Sequence, residues 1–112
     1  MPIRQVLYLS RSTQVPASQT DLEVAAVRMP KSGRIRSVYV FCRALATTVT
    51  VDVWKNGATI LTADVTPTAG AQVAGTIDLS KSAFAPGDEI HVVVTTAASS
   101  TIDDLGVSLY LA

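Results

Sequence analysis

His91 is the single histidine of the chain, and histidine is the side chain best suited to move a proton near neutral pH. It alternates with Ile90 and Val92, which predicts that its ring points away from the core. General-base catalysis also requires a nucleophile or an orienting carboxylate within reach, and no Ser–His–Asp or Cys–His spacing surrounds this residue. The sequence therefore predicts that the protein is not an enzyme. One histidine without a pair of cysteines also predicts no metal site.

Two acidic doublets, Asp88-Glu89 and Asp103-Asp104, carry oxygen atoms of the kind that bind calcium. Neither has the alternating ligand spacing of a calcium-binding loop, so we expect Asp88 to cap the Pro86-Gly87 turn and the other carboxylates to be solvated. A glycosidase built on paired carboxylates would need a cleft lined by aromatic side chains. The chain has only six aromatic residues, which are Tyr8, Tyr39, Phe41, Trp54, Phe84 and Tyr110. No cofactor is predicted.

Trp54 is the best candidate for an exposed anchor. Val51 and Val53 set the buried parity of its strand, so Trp54 is predicted to lie on the opposite face. There it could stack on a sugar ring or fill a pocket in a protein partner. Simple packing beneath a loop or against a neighbouring strand explains the residue equally well, and both interpretations stay open.

The densest positive cluster surrounds the turn at 30–33. It consists of Arg28, Lys31, Arg34 and Arg36. A solvated loop edge is the simplest interpretation, and contact with an acidic protein surface is the functional alternative. Binding of nucleic acid is disfavoured because no aromatic side chains interleave with these charges and because the chain as a whole has a net charge of zero.

Charge is divided unevenly along the chain. Residues 1–56 contain eight basic and three acidic residues, a net charge of +5, whereas residues 57–112 contain one basic and six acidic residues, a net charge of −5. Copies that associate head to tail could bring these halves together. A sandwich that interleaves the two halves in space would instead mix the signs, and both interpretations are kept.

The strongest structural signal is an alternating strand followed at once by Asn56-Gly57. Every second residue from Val49 to Val53 is apolar, as in a strand with one buried face. The Asn-Gly pair favours a two-residue hairpin turn because both positions need positive φ. Ile60 on the return strand is then expected to lie opposite Val53 and to share its buried face.

Similar patterns predict about eight short strands, separated by turn signals and without a convincing helix. Besides the hairpin, we expect strands at 3–9, 21–29, 34–44, 72–79, 89–96 and 105–111. The chain of 112 residues suits one domain, with an N-terminal strand and extended arm over 1–20 and a sandwich over 21–112. The predicted fold is all-β, an antiparallel two-sheet β-sandwich that is jelly-roll-like. Long connectors at 10–20 and 80–88 disfavour the alternative, an up-and-down barrel.

The third strand is apolar on both faces over residues 38–42, whereas a surface strand should alternate. Either both faces are covered within the fold or another subunit buries one of them. Cys42 lies inside this run and is expected to be a buried small hydrophobe rather than a reactive thiol. Charged residues make up only 16% of the chain, which suggests that part of the outer surface does not face water.

Several motifs between Gly33 and Leu111 resemble those of the small jelly-roll proteins of tailed-bacteriophage virions. They are G-R-I-R-S-V at 33–38, V-D-V-W-K-N-G-A-T-I-L at 51–61, F-A-P-G-D-E-I-H-V-V-V at 84–94 and L-G-V-S-L-Y-L at 105–111. Members of that group serve as capsid decoration (cement) proteins, and similar domains occur at tail and fibre tips. The resemblance implies a structural virion protein, a homotrimer seated on the capsid exterior where subunits of the major capsid protein meet.

In such a protein we expect the N-terminal arm to anchor to the shell and the apolar third strand to contact other subunits. The residues predicted for these contacts are Ile3, Arg4, Val6, Tyr8 and Arg11 in the arm and Tyr39, Phe41 and Arg43 in the strand, with Trp54 as a further candidate. The alternative is a receptor- or glycan-binding head domain of a phage tail or fibre protein, in which Trp54 and neighbouring loops make the contact.

No membrane partner is expected, because the longest apolar run is far too short to cross a bilayer. The N-terminus also lacks a charged segment followed by an apolar one, which is typical of an export signal. The resemblance implies synthesis in the host cytoplasm and a final location on the outside of the virion head.

Overall fold

A computed structural model of the protein describes residues 5–46 and 49–112. These residues form eleven β-strands and one 3-10 turn at Leu79–Lys81. The strands are β1 (Gln5–Arg11), β2 (Leu22–Arg28), β3 (Gly33–Phe41), β4 (Ala44–Ala46), β5 (Val49–Lys55), β6 (Ala58–Thr59), β7 (Gln72–Gly75), β8 (Ala83–Phe84), β9 (Glu89–Thr96), β10 (Thr101–Asp103) and β11 (Leu105–Leu111). Every pairing between these strands is antiparallel, so the predicted all-β antiparallel fold is confirmed.

The topology is that of one long hairpin rolled into two sheets. The Asn56-Gly57 turn forms its tip, with φ values of 52° and 88°, and the predicted hairpin is therefore confirmed. Outward from this tip β5 pairs with β6, β3 with β7, β2 with β9 and β1 with β11. Successive pairs alternate between two sheets, whose strand orders are β2-β9-β5-β6 and β1-β11-β3-β7. This is the connectivity of a jelly roll.

The core lies between the two sheets, because alternate residues of each strand point inward. Ile60 donates its N–H to the carbonyl of Val53 at 3.0 Å, and both side chains are buried, as the hairpin pattern predicts. Cys42 is also fully buried, and burial together with the nearby charge of Asp103 raises the pKa of its thiol. Large fully buried side chains include Ile35, Ile60, Ile90, Ile102, Leu105 and Leu109.

The described residues form eleven strands where about eight are predicted, because three short strands depend on partners far along the chain. β4 pairs with β10, and β8 pairs with β3. The predicted strand at 34–44 is broken after Phe41, and the one at 72–79 ends at Gly75, before the 3-10 turn. Phe84 of β8 is buried, so the crossing segment at 80–88 contributes one aromatic ring to the core.

The N-terminal segment packs on its own domain. β1 is an edge strand of the first sheet, and residues 12–21 cross from there to the second sheet. Val15 is fully buried in this crossing and donates its N–H to the carbonyl of Ile102 at 2.9 Å. Two of the predicted contact residues, Ile3 and Arg4, lie outside the described residues.

Candidate functional site

The outward side of the first sheet carries a surface that we call the tyrosine face. Because alternate residues of a strand share a side, the register of β1, β11, β3 and β7 places their outward residues in three rows across the strands. The rows are Val6–Tyr110–Ser37, Tyr8–Ser108–Tyr39–Ala74 and Ser10–Gly106–Phe41–Gln72. These residues define the tyrosine face, which holds most of the aromatic side chains of the protein.

Much of the tyrosine face is open to solvent. Val6 is 54% exposed, Tyr8 59% and Phe41 40%. The rings of Tyr39 and Tyr110 contact each other edge to face, with centroids 5.4 Å apart and an interplanar angle of 73°, an arrangement that favours attraction between rings. The face therefore has one aromatic pair and still has apolar area to bury against a partner.

Gly106 makes room for the ring of Tyr8. A Cβ atom at this glycine would collide with several atoms of the Tyr8 side chain, including its hydroxyl oxygen. The ring therefore lies across the backbone of β11 at this point. Phe41 is the direct partner of Gly106 on β3, so two exposed aromatic residues flank a position that has no side chain.

This packing predicts that the effect of Gly106→Ala on stability changes sign when Tyr8 is replaced by serine. Gly106→Ala alone is expected to destabilise the protein, because the new methyl group must displace the ring of Tyr8. In the Tyr8→Ser background the same substitution should stabilise the protein by about 0.4–1 kcal/mol, since alanine restricts the unfolded chain more than glycine does. We expect an interaction free energy of about 1 kcal/mol between the two positions, measured by urea denaturation. Additive effects would show that the ring does not cover Gly106.

The outward side of the second sheet differs, because its charged groups contact one another. Arg28 Nη2 lies 2.6 Å from Glu89 Oε2, and the hydrogen bond from Arg28 lowers the pKa of the Glu89 carboxyl. His91 points outward, as predicted, and lies between two carboxylates. Its Nδ1 is 2.9 Å from Glu23 Oε2, outside hydrogen-bond geometry, and its Nε2 is 3.2 Å from Glu89 Oε1. These contacts place no nucleophile beside the imidazole.

Trp54 lies on the same outward side of the second sheet, as its parity predicts, and is half-buried. Its indole Nε1 donates to Asp52 Oδ2 at 2.8 Å. Asp52 also accepts the hydroxyl of Thr59 on Oδ1 at 2.6 Å. Burial and the negative charge of Asp52 raise the pKa of the Asp64 carboxyl. The polar groups of this surface are thus bound largely to one another.

Neither acidic doublet forms a site. Asp88 Oδ2 accepts the N–H of Ala85 at 2.9 Å, which closes the predicted turn and lowers the pKa of Asp88. The second doublet is not simply solvated, because Arg43 forms an ion pair with Asp104 and lies 3.9 Å from Asp103. In the described part of the chain no three His, Cys, Asp or Glu side chains are grouped closely enough to hold a metal ion. The same residues contain no helix that is long and apolar enough to cross a membrane.

No known protein family, no curated protein and no solved structure matches this chain. The functional interpretation therefore rests on its surfaces. The three rows of the tyrosine face contain no Asp, Glu, Lys, Arg or His, although the exposed Arg34 and Arg36 of β3 lie beside the first row. The outward side of the second sheet, by contrast, carries Glu23, Arg28, Asp52, Glu89 and His91.

The structure brings four of the predicted contact residues together. Val6, Tyr8, Tyr39 and Phe41 all lie on the tyrosine face, although the sequence places them in two separate segments with separate expected roles. The arm and the third strand are joined through β11, which lies between β1 and β3. One continuous surface therefore replaces the two expected ones.

Three other predicted contact residues lie elsewhere. Arg11, at the end of β1, donates through Nε to Thr13 Oγ1 at 3.0 Å. Arg43 follows β3 and is paired with Asp104. Trp54 lies on the opposite sheet. None of these three side chains belongs to the tyrosine face.

Sequence reasoning missed Tyr110 and Gly106 as members of the candidate surface. The alternation over residues 105–111 places both of them, with Ser108, on one side of the last strand, so part of the signal is present in the sequence. The pattern does not show that this strand lies between β1 and β3. That placement sets Tyr110 beside Tyr39 and Gly106 beneath the ring of Tyr8.

Proposed function

We propose that the chain is a structural virion protein, a capsid decoration protein that binds the outer surface of a phage head through its tyrosine face. The observation that carries the proposal is an aromatic surface across four strands, whose three rows hold no charged residue, on a molecule whose other sheet pairs its charges internally. Contiguous exposed apolar side chains are typical of interaction sites, and interface cores are rich in aromatic residues and poor in charge. The virion assignment is supported by the sequence motifs alone.

A sheet face of this kind suits broad contact with a second folded protein, here the major capsid protein at subunit junctions. Shell subunits repeat many times, so each copy needs to contribute only a modest free energy to the stability of the particle. Binding to the assembled shell in preference to free subunits stabilises the assembled state by mass action. Nucleic acid is not part of the proposal, because the tyrosine face lacks the cations that hold a phosphate backbone.

A receptor- or glycan-binding head domain is the second candidate, and the position of Tyr8 favours it. The ring lies across Gly106 and the residue is 59% exposed, so a ring face is available to stack on a sugar. Trp54, the anchor expected for this function, suits it less because its Nε1 already donates to Asp52. A glycan would therefore contact the tyrosine face rather than the second sheet.

Cosedimentation separates the two candidates. The purified protein is mixed with empty heads of the phage that encodes it, prepared without the protein, and separately with host cells. Saturable binding to heads but not to cells supports decoration, and the reverse result supports the receptor-binding domain. Binding to neither particle rejects both functions.

A further inference from the structure

The two main sheets have four edges in the described part of the chain, and three of them are protected against pairing with another chain. β6 has two residues and β7 has four. β2 has a register shift between Glu23 and Ala25 and exposes the charged side chains of Glu23 and Arg28. Short length, bulges and charge are the means by which natural edge strands avoid further pairing.

β1 has none of these protections. Its seven residues pair with β11 in an unbroken register from Gln5 to Arg11, with no proline and with no charged residue before Arg11. Within the described chain β1 pairs only with β11; β2 lies close to β1 without pairing, and no other backbone hydrogen bond reaches β1. The outward backbone groups of β1 are therefore a template for one more antiparallel strand.

We infer that two copies of this chain pair through β1, antiparallel and about a two-fold axis at Tyr8. A second copy suits this edge because a register centred on Tyr8 sets compatible side chains of β1 opposite each other. The opposite pairs in this register are Leu7 with Leu9, Val6 with Ser10, and Gln5 with Arg11. No two residues of like charge lie opposite each other, and the inward-pointing Leu7 of each copy lies opposite Leu9 of the other.

The parity of this register also keeps the two tyrosine faces on the same side. Both members of each opposite pair come from the same side of β1, so the first sheets of the two copies continue as one sheet. Leu7, half-buried in one copy, gains an apolar neighbour from the other. A two-fold dimer differs from the trimer that the sequence resemblance implies, and it does not depend on the proposed binding to a shell.

Disulfide trapping tests the partner and the register together. At the two-fold axis the Cβ atoms of the two residues at position 8 are expected to lie about 4.5–5.5 Å apart, a separation that a Tyr8→Cys disulfide bridges after a small adjustment. Cys42 does not compete, because it is fully buried. Gln72→Cys is the matched control, since it lies on the tyrosine face at the opposite edge.

Under mild oxidation we expect Tyr8→Cys to form a covalent dimer of about 24 kDa, from a chain of 11.8 kDa. Dimer should form roughly tenfold faster, or more, than with Gln72→Cys, because association raises the local thiol concentration. Val6→Cys alone should trap little dimer, whereas Val6→Cys combined with Ser10→Cys should trap it readily. Equal trapping at Tyr8→Cys and Gln72→Cys would overturn the inference.

Sedimentation equilibrium of the unsubstituted protein gives an independent measurement. A dimer whose fraction grows with concentration supports the pairing. A monomer at every concentration up to about 1 mM, or a trimer, overturns it. Because this measurement uses no shell, a dimer that fails to bind heads would reject the proposed function alone, and a monomer that binds heads would reject the pairing alone.

Discussion

Replacing Tyr8 and Phe41 together by serine is expected to weaken binding to empty heads by about 100-fold, because each aromatic at the centre of an interface contributes about 1–2 kcal/mol or more. Both side chains are exposed, so their loss leaves the core intact. The dissociation constant is measured by cosedimentation with heads over a range of protein concentrations. Circular dichroism of the double variant should match that of the unsubstituted protein.

Leu79→Ser is the control for this experiment. Leu79 is 74% exposed and lies in the 3-10 turn, which is not part of the tyrosine face. Removing an exposed apolar side chain there should leave the dissociation constant within about twofold of the original value. Equal loss of binding in the control and the double variant would show that exposed apolar area in general, rather than the tyrosine face, drives attachment.

Leu109→Ala is expected to lower the free energy of unfolding by about 2–5 kcal/mol. Leu109 is fully buried and lies in the central strand of the first sheet, opposite Leu7 on β1 and Val38 on β3. Truncation leaves a cavity between three strands. Because these strands are held together by their pairing, the surrounding backbone cannot move enough to fill it. The midpoint of thermal unfolding should fall by about 10–20 °C.

Leu79→Ala provides the matched comparison, because it makes the same chemical change at an exposed site. Its free energy of unfolding should change by less than about 0.5 kcal/mol. The two variants are compared by urea denaturation at one temperature. If Leu109→Ala were no more harmful than Leu79→Ala, the first sheet would not pack on the core through β11.

The centre of the fold could be predicted because its determinants are local. Asn56 and Gly57 have positive φ, which these residue types adopt more readily than others. The alternation through Val53 and Trp54 then fixes which side chains of β5 point inward. Neither inference needs knowledge of a distant part of the chain.

The outer strands could not be placed from the sequence, because their partners are far away along the chain. Tyr8 pairs with Ser108, and Thr101 of β10 pairs with Ala46 of β4. A strand of two or three residues has too few side chains for a periodic pattern. β4, β8 and β10 can therefore be assigned only after the larger strands have been paired.

The candidate surface shows the same division between local and distant information. Alternation places Tyr39 and Phe41 on one side of β3, and the sequence predicts both as contact residues. Their proximity to Tyr8 requires β11 to lie between β1 and β3. Likewise, the outward direction of His91 is predicted, whereas its position between Glu23 and Glu89 depends on the register of β2 with β9.

The pairing of β1 with β11 affects how the nascent chain folds during synthesis. β1 leaves the ribosome first among the described strands and has no partner until β11 follows, after a wait on the order of 5–20 s at ordinary rates of translation. The formation of contacts between strands so far apart in the sequence is also slow. Val6 and Tyr8 join Tyr39 and Phe41 only at that step, so a growing chain lacks the complete tyrosine face until β11 has been made.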